Sequence, residues 1–231
     1  MNDVPLLFVE SVARLFDGDA LSSLAESPTG LFGTVGRSLW EKRLYVALNV
    51  IYNSKAGTFA YCLTCSLNSK YSRSATPYTY NPADHRFVFN FKVKLLKEKS
   101  SFFFVGGVVT WTTATPSDPT FLKLLRATFA RTELCLDVNC PELLKLLPDY
   151  CTFNCINANG VFNYSKVLYE IIQRSQACGR LEDVHCVKFF NARVVEALID
   201  WISTNKRLRL ISSFNIENPA SVRSVLNIIV R

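Results

Sequence analysis

The sequence predicts an α/β protein in which a short helical segment precedes a sheet-rich domain. Three observations predict this class: apolar residues recur at helical spacing near the N-terminus, the middle alternates apolar and polar residues with the period of two typical of strands, and strand-like and helix-like segments alternate thereafter. We divide the chain into a helical segment, residues 1–44, and a sheet-rich domain, residues 45–231. The latter comprises antiparallel hairpins in 45–113 and strand–helix repeats with a mostly parallel sheet in 120–231.

Length and composition indicate a globular protein with a large core. The chain has 231 residues, of which 49% are apolar and 19% are charged, enough for one large domain or a small module plus a domain. The longest apolar runs, such as residues 102–109, are far shorter than a membrane span, and acidic residues stand where a secretory signal would carry Lys or Arg. We therefore expect an intracellular protein, cytoplasmic or nuclear, without a membrane partner.

The net charge limits the classes of partner to be expected, and the cysteine content indicates the state of the thiols. The net charge of +7 permits contact with nucleic acid or with an acidic protein surface. The basic residues fall in three groups that we expect to be scattered over the surface, which argues against nucleic acid: Lys42-Arg43, Lys92-Lys94-Lys97-Lys99 and Lys206-Arg207-Arg209. Without a secretory signal, the eight cysteines are expected to be free thiols packed as small apolar groups.

The N-terminal segment has the spacing of an amphipathic helix. Its apolar residues recur every three or four positions on one stripe: Val4, Phe8, Val12 and Leu15, with Leu7 and Phe16 beside them. Pro5 stands where the helix begins, a position at which proline's missing N–H costs nothing. An acidic break at residues 17–19 follows, and the next short helix would bury Leu21 and Leu24.

The order of these residues resembles the F-box, most closely the short, divergent F-box-like proteins expanded in nematodes. The resemblance covers residues 4–44, and the matching positions are Val4-Pro5 for the Leu-Pro start, Phe16-Asp17 for the Leu-Asp break, Leu21 and Leu24 for the second helix, and Trp40 with Leu44 for the closing Trp and Leu. Between Glu26 and Ser38 the chain departs from the family's Val-Ser-Lys-x-Trp helix. Three glycines and a proline there predict no regular third helix before Gly36.

The resemblance implies a partner and a docking surface. F-box segments bind the Skp-type adaptor of a cullin ubiquitin ligase, so the implied contact residues are Val4, Pro5, Leu7, Phe8, Phe16, Leu21, Leu24 and Trp40. It further implies that the remainder of the chain holds a protein substrate, whose identity the sequence does not name. The alternative interpretation of the same pattern is a plain pair of core helices that packs onto the sheet.

The middle of the chain predicts two antiparallel hairpins. Residues 44–52 and 58–67 are rich in Val, Ile and Tyr and flank a turn with Asn and Gly. Residues 86–96 alternate apolar and polar positions, and a short turn joins them to residues 101–113, the second pair. The open face of this pair would carry solvated edge-strand charges, Lys92 and Lys94.

A long polar loop, residues 68–85, separates the two predicted hairpins. Loops of this length in compact domains are often functional. Tyrosines beside a basic residue suit recognition of a protein or of a single-stranded nucleic acid, so the candidate recognition residues are Tyr71, Arg73, Tyr78 and Tyr80. An ordinary solvated connection is the alternative.

The C-terminal half predicts strand–helix units. After a helix at residues 121–129, we expect strands at 133–139, 151–156, 183–190 and 208–216, followed in turn by helices at 141–147, 164–176, 192–204 and 219–230. This alternation favours a mostly parallel sheet with helices on one side. The segment ELCLDVNCPELLKLL resembles a leucine-rich repeat, with Leu134 and Leu136 inward and Leu143 and Leu146 on the covering helix. F-box proteins commonly carry such an array as the surface that holds the substrate.

No constellation of residues points to an enzyme, a metal site or a cofactor. Cys62 and Cys65 have zinc-ligand spacing but lack a second such pair, and on a strand they face opposite ways. His185 adjoins Cys186, and neighbours on a strand also face opposite ways. We therefore expect a non-catalytic adaptor without a cofactor. The alternatives are a stand-alone interaction scaffold and, third, a basic nucleic-acid-binding protein.

Overall fold

The computed structural model describes residues 5–14, 16, 18–27, 30–53, 56–67, 75–96, 109–126, 129, 131–136, 141–158 and 166–186. The helices are α1 (Leu6–Ala13), α2 (Gly18–Glu26), α3 (Leu31–Lys42), α4 (Pro119–Arg126), α5 (Pro141–Lys145) and α6 (Lys166–Ala177), with a 3-10 helix at Pro82–Phe87. The strands are β1 (Leu44–Asn53), β2 (Thr58–Leu67), β3 (Thr76–Pro77), β4 (Val88–Leu96), β5 (Thr112–Ala114), β6 (Thr132–Leu136), β7 (Cys155–Ala158) and β8 (Asp183–Cys186). The predicted strand at 208–216 and the helices at 192–204 and 219–230 lie outside the described residues.

The eight strands form one mixed sheet with the order β3-β2-β1-β4-β6-β7-β8, and β5 pairs with β2. β1 and β2 are antiparallel, which confirms the first predicted hairpin. β4, β6, β7 and β8 then add in chain order, each parallel to the strand before it. The predicted mixed α/β class is therefore confirmed.

One face of the sheet is apolar and is covered by helices. The strand register aligns one fully buried apolar side chain from each of five parallel strands in a row: Leu48, Val93, Leu134, Ile156 and Val184. α4, α5 and α6 contribute Phe121, Leu143 and Ile171 to the same core. Each such side chain contributes about 1.5–3 kcal/mol by leaving water. The helices therefore cover this face, as predicted from the strand–helix alternation.

The partner of β4 differs from the prediction. β4 lies between β1 and β6, parallel to both. Of the predicted second strand, residues 109–113 are described, and Thr112–Ala114 pairs with β2. Lys92 and Lys94 consequently occupy a central strand, so the edge-strand interpretation of these two charges was wrong. Alternation assigns side chains to the faces of a strand but says nothing about which strand pairs with it.

The third helix also differs from the prediction, since α3 begins at Leu31 and includes Gly33 and Gly36. A Cβ at Gly33 would lie 2.6 Å from the backbone oxygen of Ser27, and one at Gly36 would lie 2.8 Å from Leu24 Cγ. Glycine at these two positions lets the backbone of α3 approach the end of α2. This close packing outweighs the low helix propensity of glycine, about 1 kcal/mol per residue below alanine.

Replacing Gly33 by alanine is expected to lower the free energy of unfolding by about 1–3 kcal/mol, although alanine is the better helix former, because the new methyl group meets an immobile backbone oxygen. Thermal or denaturant unfolding measures the change. Arg37→Ala, at an exposed position of α3, is the control and should stay within about 0.5 kcal/mol of the wild type. A stabilised Gly33→Ala variant would contradict the close packing.

Other boundaries shift by a few residues. β7 begins at Cys155 rather than at residue 151, and the predicted polar loop contains β3 and the first four residues of the 3-10 helix. In the leucine-rich unit Leu134, Leu136 and Leu143 are buried as expected, and Leu146 lies just past the end of α5, half-buried against the core. Within the described ranges, no helix has the length and apolar character needed to span a membrane.

Candidate functional site

The N-terminal helices expose most of the large apolar side chains that the described residues leave in solvent. These are Leu6 (51% exposed), Leu7 (75%) and Phe8 (57%) at the start of α1, and Leu31 (43%) and Phe32 (39%) at the start of α3. The one other such side chain among the described residues is Tyr150. Large apolar side chains left in solvent can mark a partner site when they form a patch. We call the five residues of α1 and α3 the apolar face.

The opposite side of these helices is buried in a core of its own. Val9 and Ala13 of α1 pack with apolar side chains of the other two helices: Leu21, Val35 and Leu39. Phe87 and Phe89 of the sheet domain are packed against this cluster and connect it to the rest of the molecule. The helices thus bury one side internally, which leaves the apolar face available for another molecule.

The local sequence explains why the start of α1 must expose apolar residues. Pro5 accepts hydrogen bonds from the N–H groups of Phe8 and Val9, which begins the helix at Leu6. Consecutive helical residues point about 100° apart, so three large apolar residues in a row cannot all face one core. Val9 and Ala13 face inward. The predicted stripe of Phe8 and Val12 does not, because Phe8 is exposed and Val12 is half-buried.

The predicted contact residues fall into four groups. Val4 lies outside the described residues, whereas Pro5, Leu7 and Phe8 are exposed. Three more residues are half-buried against the internal core: Phe16, Leu24 and Trp40. Leu21 is fully buried. Sequence reasoning missed Leu6, Leu31 and Phe32. Leu31 and Phe32 were missed because they stand between two glycines, which favoured a turn over a helix. Leu21 holds the three helices together and is not on their surface.

Trp40 has a structural partner at the end of α3. The guanidinium carbon of Arg43 lies 3.3 Å from the centre of the Trp40 ring, and Arg43 Nη1 donates a hydrogen bond to the Trp40 carbonyl oxygen. An arginine that satisfies a terminal carbonyl stabilises the C-terminus of a helix. This contact fixes the junction between α3 and β1.

Two of the candidate recognition residues line a groove beside β2. Tyr71 and Arg73 lie outside the described residues. Tyr78 and Tyr80 are half-buried and line a cavity of about 500 Å³ together with Tyr61, Pro77 and Lys123. The backbone N–H of Tyr78 donates to the carbonyl oxygen of Leu63 at 3.0 Å, which ties the segment to β2. The groove therefore has a rigid aromatic wall.

Hydrogen bonds hold both tyrosine hydroxyl groups. Tyr78 donates to Asp84 Oδ2 at 3.1 Å, and the hydroxyl of Tyr80 lies 3.1 Å from His85 Nδ1. Burial and then the Asp84 carboxylate raise the pKa of Tyr78 to about 12, and the same two causes raise the pKa of Tyr80. Both hydroxyl groups are thus neutral at physiological pH. Neutral hydroxyl groups on a half-buried wall suit a polar but uncharged contact.

The second face of the sheet carries the polar and charged residues. A row across five parallel strands contains Ala47, Lys92, Glu133, Cys155 and Asp183, and the next row contains Asn49, Lys94, Cys135, Asn157 and His185. Lys92 Nζ lies 2.7 Å from Glu133 Oε2, and Asn90 Nδ2 donates to Glu133 Oε1 at 2.6 Å. Lys92 is therefore neutralised within the sheet, and this weakens the interpretation of its charge as part of a nucleic-acid surface.

Six thiols of the described side chains are free, as the sequence predicted: Cys62, Cys65, Cys135, Cys151, Cys155 and Cys178. Burial raises the pKa of Cys62 and of Cys151 to about 11, so these thiols are protonated at neutral pH and inert as nucleophiles. Cys62 is buried, whereas Cys65 lies 3.8 Å from the Thr76 hydroxyl oxygen. The two side chains lie on opposite faces of β2 because residues three positions apart on a strand point in opposite directions.

Comparison of the chain with protein-family models, with curated proteins and with solved structures finds no match. The apolar face, the tyrosine-lined groove and the polar face of the sheet are therefore the observations from which function is inferred.

Proposed function

We propose that this chain is a non-catalytic substrate-recognition adaptor of a cullin-type ubiquitin ligase. Its N-terminal helices dock on a Skp-type adaptor, and its sheet domain binds a protein substrate. The observation that carries this proposal is the apolar face, because its five side chains are large, lie on the first turns of α1 and α3, and are 39–75% exposed.

The internal packing of α1–α3 supports docking through the outer side. Hot spots of protein interfaces are large side chains that become fully desolvated in the complex. Leu7 and Phe8 have this character, and burying each of them in a groove of the partner contributes about 1.5–3 kcal/mol. The F-box resemblance of residues 4–44 names the class of partner that receives them.

The order of the parallel strands supports the substrate-binding part of the proposal. β4, β6, β7 and β8 add side by side in chain order, with α4, α5 and α6 against one face. Leucine-rich repeats stack in this manner and leave the other face of the sheet for ligands. The tyrosine-lined groove beside β2 offers a second surface of about 500 Å³ for a segment of the substrate.

The proposal predicts that the intact chain binds a purified Skp-type adaptor and that Leu7→Asp weakens this binding at least about thirtyfold. The aspartate places a charge in the contact, where it would lose its hydration. Calorimetric titration of the full chain with the adaptor measures the affinity. Because Leu7 is 75% exposed, the substitution should change stability by less than about 0.5 kcal/mol.

Tyr150→Asp is the matched control, since it introduces the same charge at the exposed aromatic residue outside the apolar face. It should bind the adaptor as the wild type does. Failure of the intact chain to bind, or an equal loss in both variants, would refute docking through α1.

A stand-alone interaction scaffold is the second candidate, and one observation favours it. Phe87 and Phe89 pack against the core of α1–α3, so these helices also serve as a cover for one end of the sheet. In this case the same titration would detect no adaptor binding by the intact chain.

A further inference from the structure

We propose that Cys155, Asp183 and His185 bind one zinc ion on the polar face of the sheet. β7 and β8 are parallel neighbours in which Cys155 is the register partner of Asp183. His185 follows Asp183 by two positions, so the alternation along β8 places both side chains on one face. One ligand atom from each residue, a sulfur, a carboxylate oxygen and a ring nitrogen, lies within 4.8 Å of the other two.

The chemistry of the three ligand atoms selects the ion. Thiolate, imidazole and carboxylate are the ligands of zinc, whereas calcium and magnesium take oxygen ligands. Tetrahedral zinc with bonds of about 2.0–2.3 Å requires its ligand atoms to be about 3.5 Å apart. Separations of at most 4.8 Å are close enough for side-chain rotations to reach this geometry without movement of the strands.

The surroundings hold one of the ligands, Asp183, in position. Arg131 Nη2 donates to Asp183 Oδ2 at 3.1 Å, and Arg131 is in turn 3.4 Å from Glu182 Oε2. A carboxylate has two oxygens, so the bond to Oδ2 leaves Oδ1 for a cation. Partners of this kind orient metal ligands in proteins and raise the affinity of the site about 10- to 100-fold.

A fourth residue faces the same place. Asn157 is the register partner of His185 on β7, two positions after Cys155 and on the same face. Its Oδ1 is buried and has no hydrogen-bond donor in the described part of the chain. A buried acceptor without a donor costs about 1–3 kcal/mol. A water molecule on the fourth position of the zinc ion would supply the missing donor.

The rival role for a cysteine beside a histidine is nucleophilic catalysis, which needs a thiolate. Burial, and after it the charges of Glu133 and Asp183, raise the pKa of the Cys155 thiol to about 12. Without a metal ion the thiol is therefore protonated and unreactive. Metal binding instead uses all three side chains, whose ligand atoms lie within 4.8 Å of one another.

Titration of the full chain with Co²⁺, the spectroscopic substitute for zinc, tests the site. One equivalent should give the sulfur-to-cobalt charge-transfer band and the intense visible bands of a four-coordinate ion. Cys155→Ala should abolish the charge-transfer band, and His185→Gln should weaken binding at least about tenfold. Cys62→Ala is the matched control, because Cys62 is also a buried thiol of this sheet, and it should leave the spectrum unchanged.

X-ray absorption of the zinc-loaded wild type makes the test independent of how the variants fold. It should give a first shell with one sulfur and otherwise nitrogen and oxygen. The proposal is overturned if the wild type gives no charge-transfer band, if zinc has no sulfur ligand or more than one, or if the band survives in folded Cys155→Ala.

Discussion

Replacing Lys92 by methionine is expected to lower the free energy of unfolding by about 3–5 kcal/mol. The side chain of Glu133 is only 8% exposed, and Lys92 Nζ, 2.7 Å from its Oε2, is the nearest cation that compensates its charge. Methionine preserves the apolar stem of lysine but removes the charge, which leaves a buried carboxylate without its ion-paired lysine and with only the more distant charge of Arg131. Denaturant unfolding at neutral pH measures the loss.

A double variant distinguishes the effect of the uncompensated Glu133 charge on stability from the effect of any loss of packing. Lys92→Met combined with Glu133→Gln removes both charges and keeps an amide oxygen to accept the hydrogen bond of Asn90. Replacing a buried ion pair by neutral groups of similar volume is often nearly neutral, so the double variant should recover most of the stability. Lys123→Met, at an exposed position of α4, is the surface control. Equal losses in the single and the double variant would contradict this account.

The pH dependence gives an independent check with a definite sign. Burial raises the pKa of Glu133, but the charge and hydrogen bond of Lys92, together with the Asn90 hydrogen bond, outweigh burial and lower it below the ordinary value. A lowered pKa contributes stability that is present above the unfolded pKa, about 4.3, and is lost as pH falls through the folded pKa. In the folded Lys92→Met variant, the loss of the lysine charge favours the protonated form of the Glu133 carboxyl. The difference between wild type and variant should therefore shrink below about pH 4.

This ion pair also illustrates which parts of the fold the sequence can predict. The β1–β2 hairpin followed from local information, because the strands alternate and their connection contains turn residues. The neighbours of β4 could not be predicted from local information. Asn90 and Glu133, which join β4 to β6, are 43 residues apart, and no local sequence pattern predicts their contact. Lys92 therefore has the pattern of a solvated charge in the sequence and is an internal charge in the fold.

The candidate site divides in the same way. Spacing predicts helix α1 itself, but it does not predict that Val9 and Ala13, rather than the stripe of Phe8, face the core. The exposure of Phe32 could not be predicted, because the helix containing it includes glycines whose close packing on the end of α2 the sequence does not show. Similarly, the two-residue spacing of Asp183 and His185 is visible in the sequence. The position of Cys155 beside them depends on the register of β7 against β8.

The second large effect is expected at Phe129, where truncation to alanine should cost about 3–5 kcal/mol. Its buried ring stacks on Phe91 with the centroids 4.3 Å apart and on the imidazole of His85 at 4.7 Å. Tyr80 meets the same ring edge-on at 6.5 Å. Phe129 therefore joins the sheet to the segment that forms one wall of the tyrosine-lined groove.

Because of this position, Phe129→Ala should loosen that wall beyond its effect on the whole fold. Native-state hydrogen exchange measures the opening of individual segments against global unfolding. Amides of residues 78–87 should lose protection in excess of the global loss, while those of β6 should follow the global value. A substrate segment that binds in the groove should bind more weakly to this variant, because it would have to order the wall again.

Phe121→Ala is the matched control for this selectivity. Phe121 is equally buried, and its ring contacts Phe59 at 4.7 Å and Tyr61 at 5.4 Å. Its truncation should cost a similar 3–5 kcal/mol but leave residues 80–85 protected relative to global unfolding. If both variants change the protection of these residues equally, Phe129 is an ordinary core residue and the wall is held by its hydrogen bonds to Leu63 and Asp84.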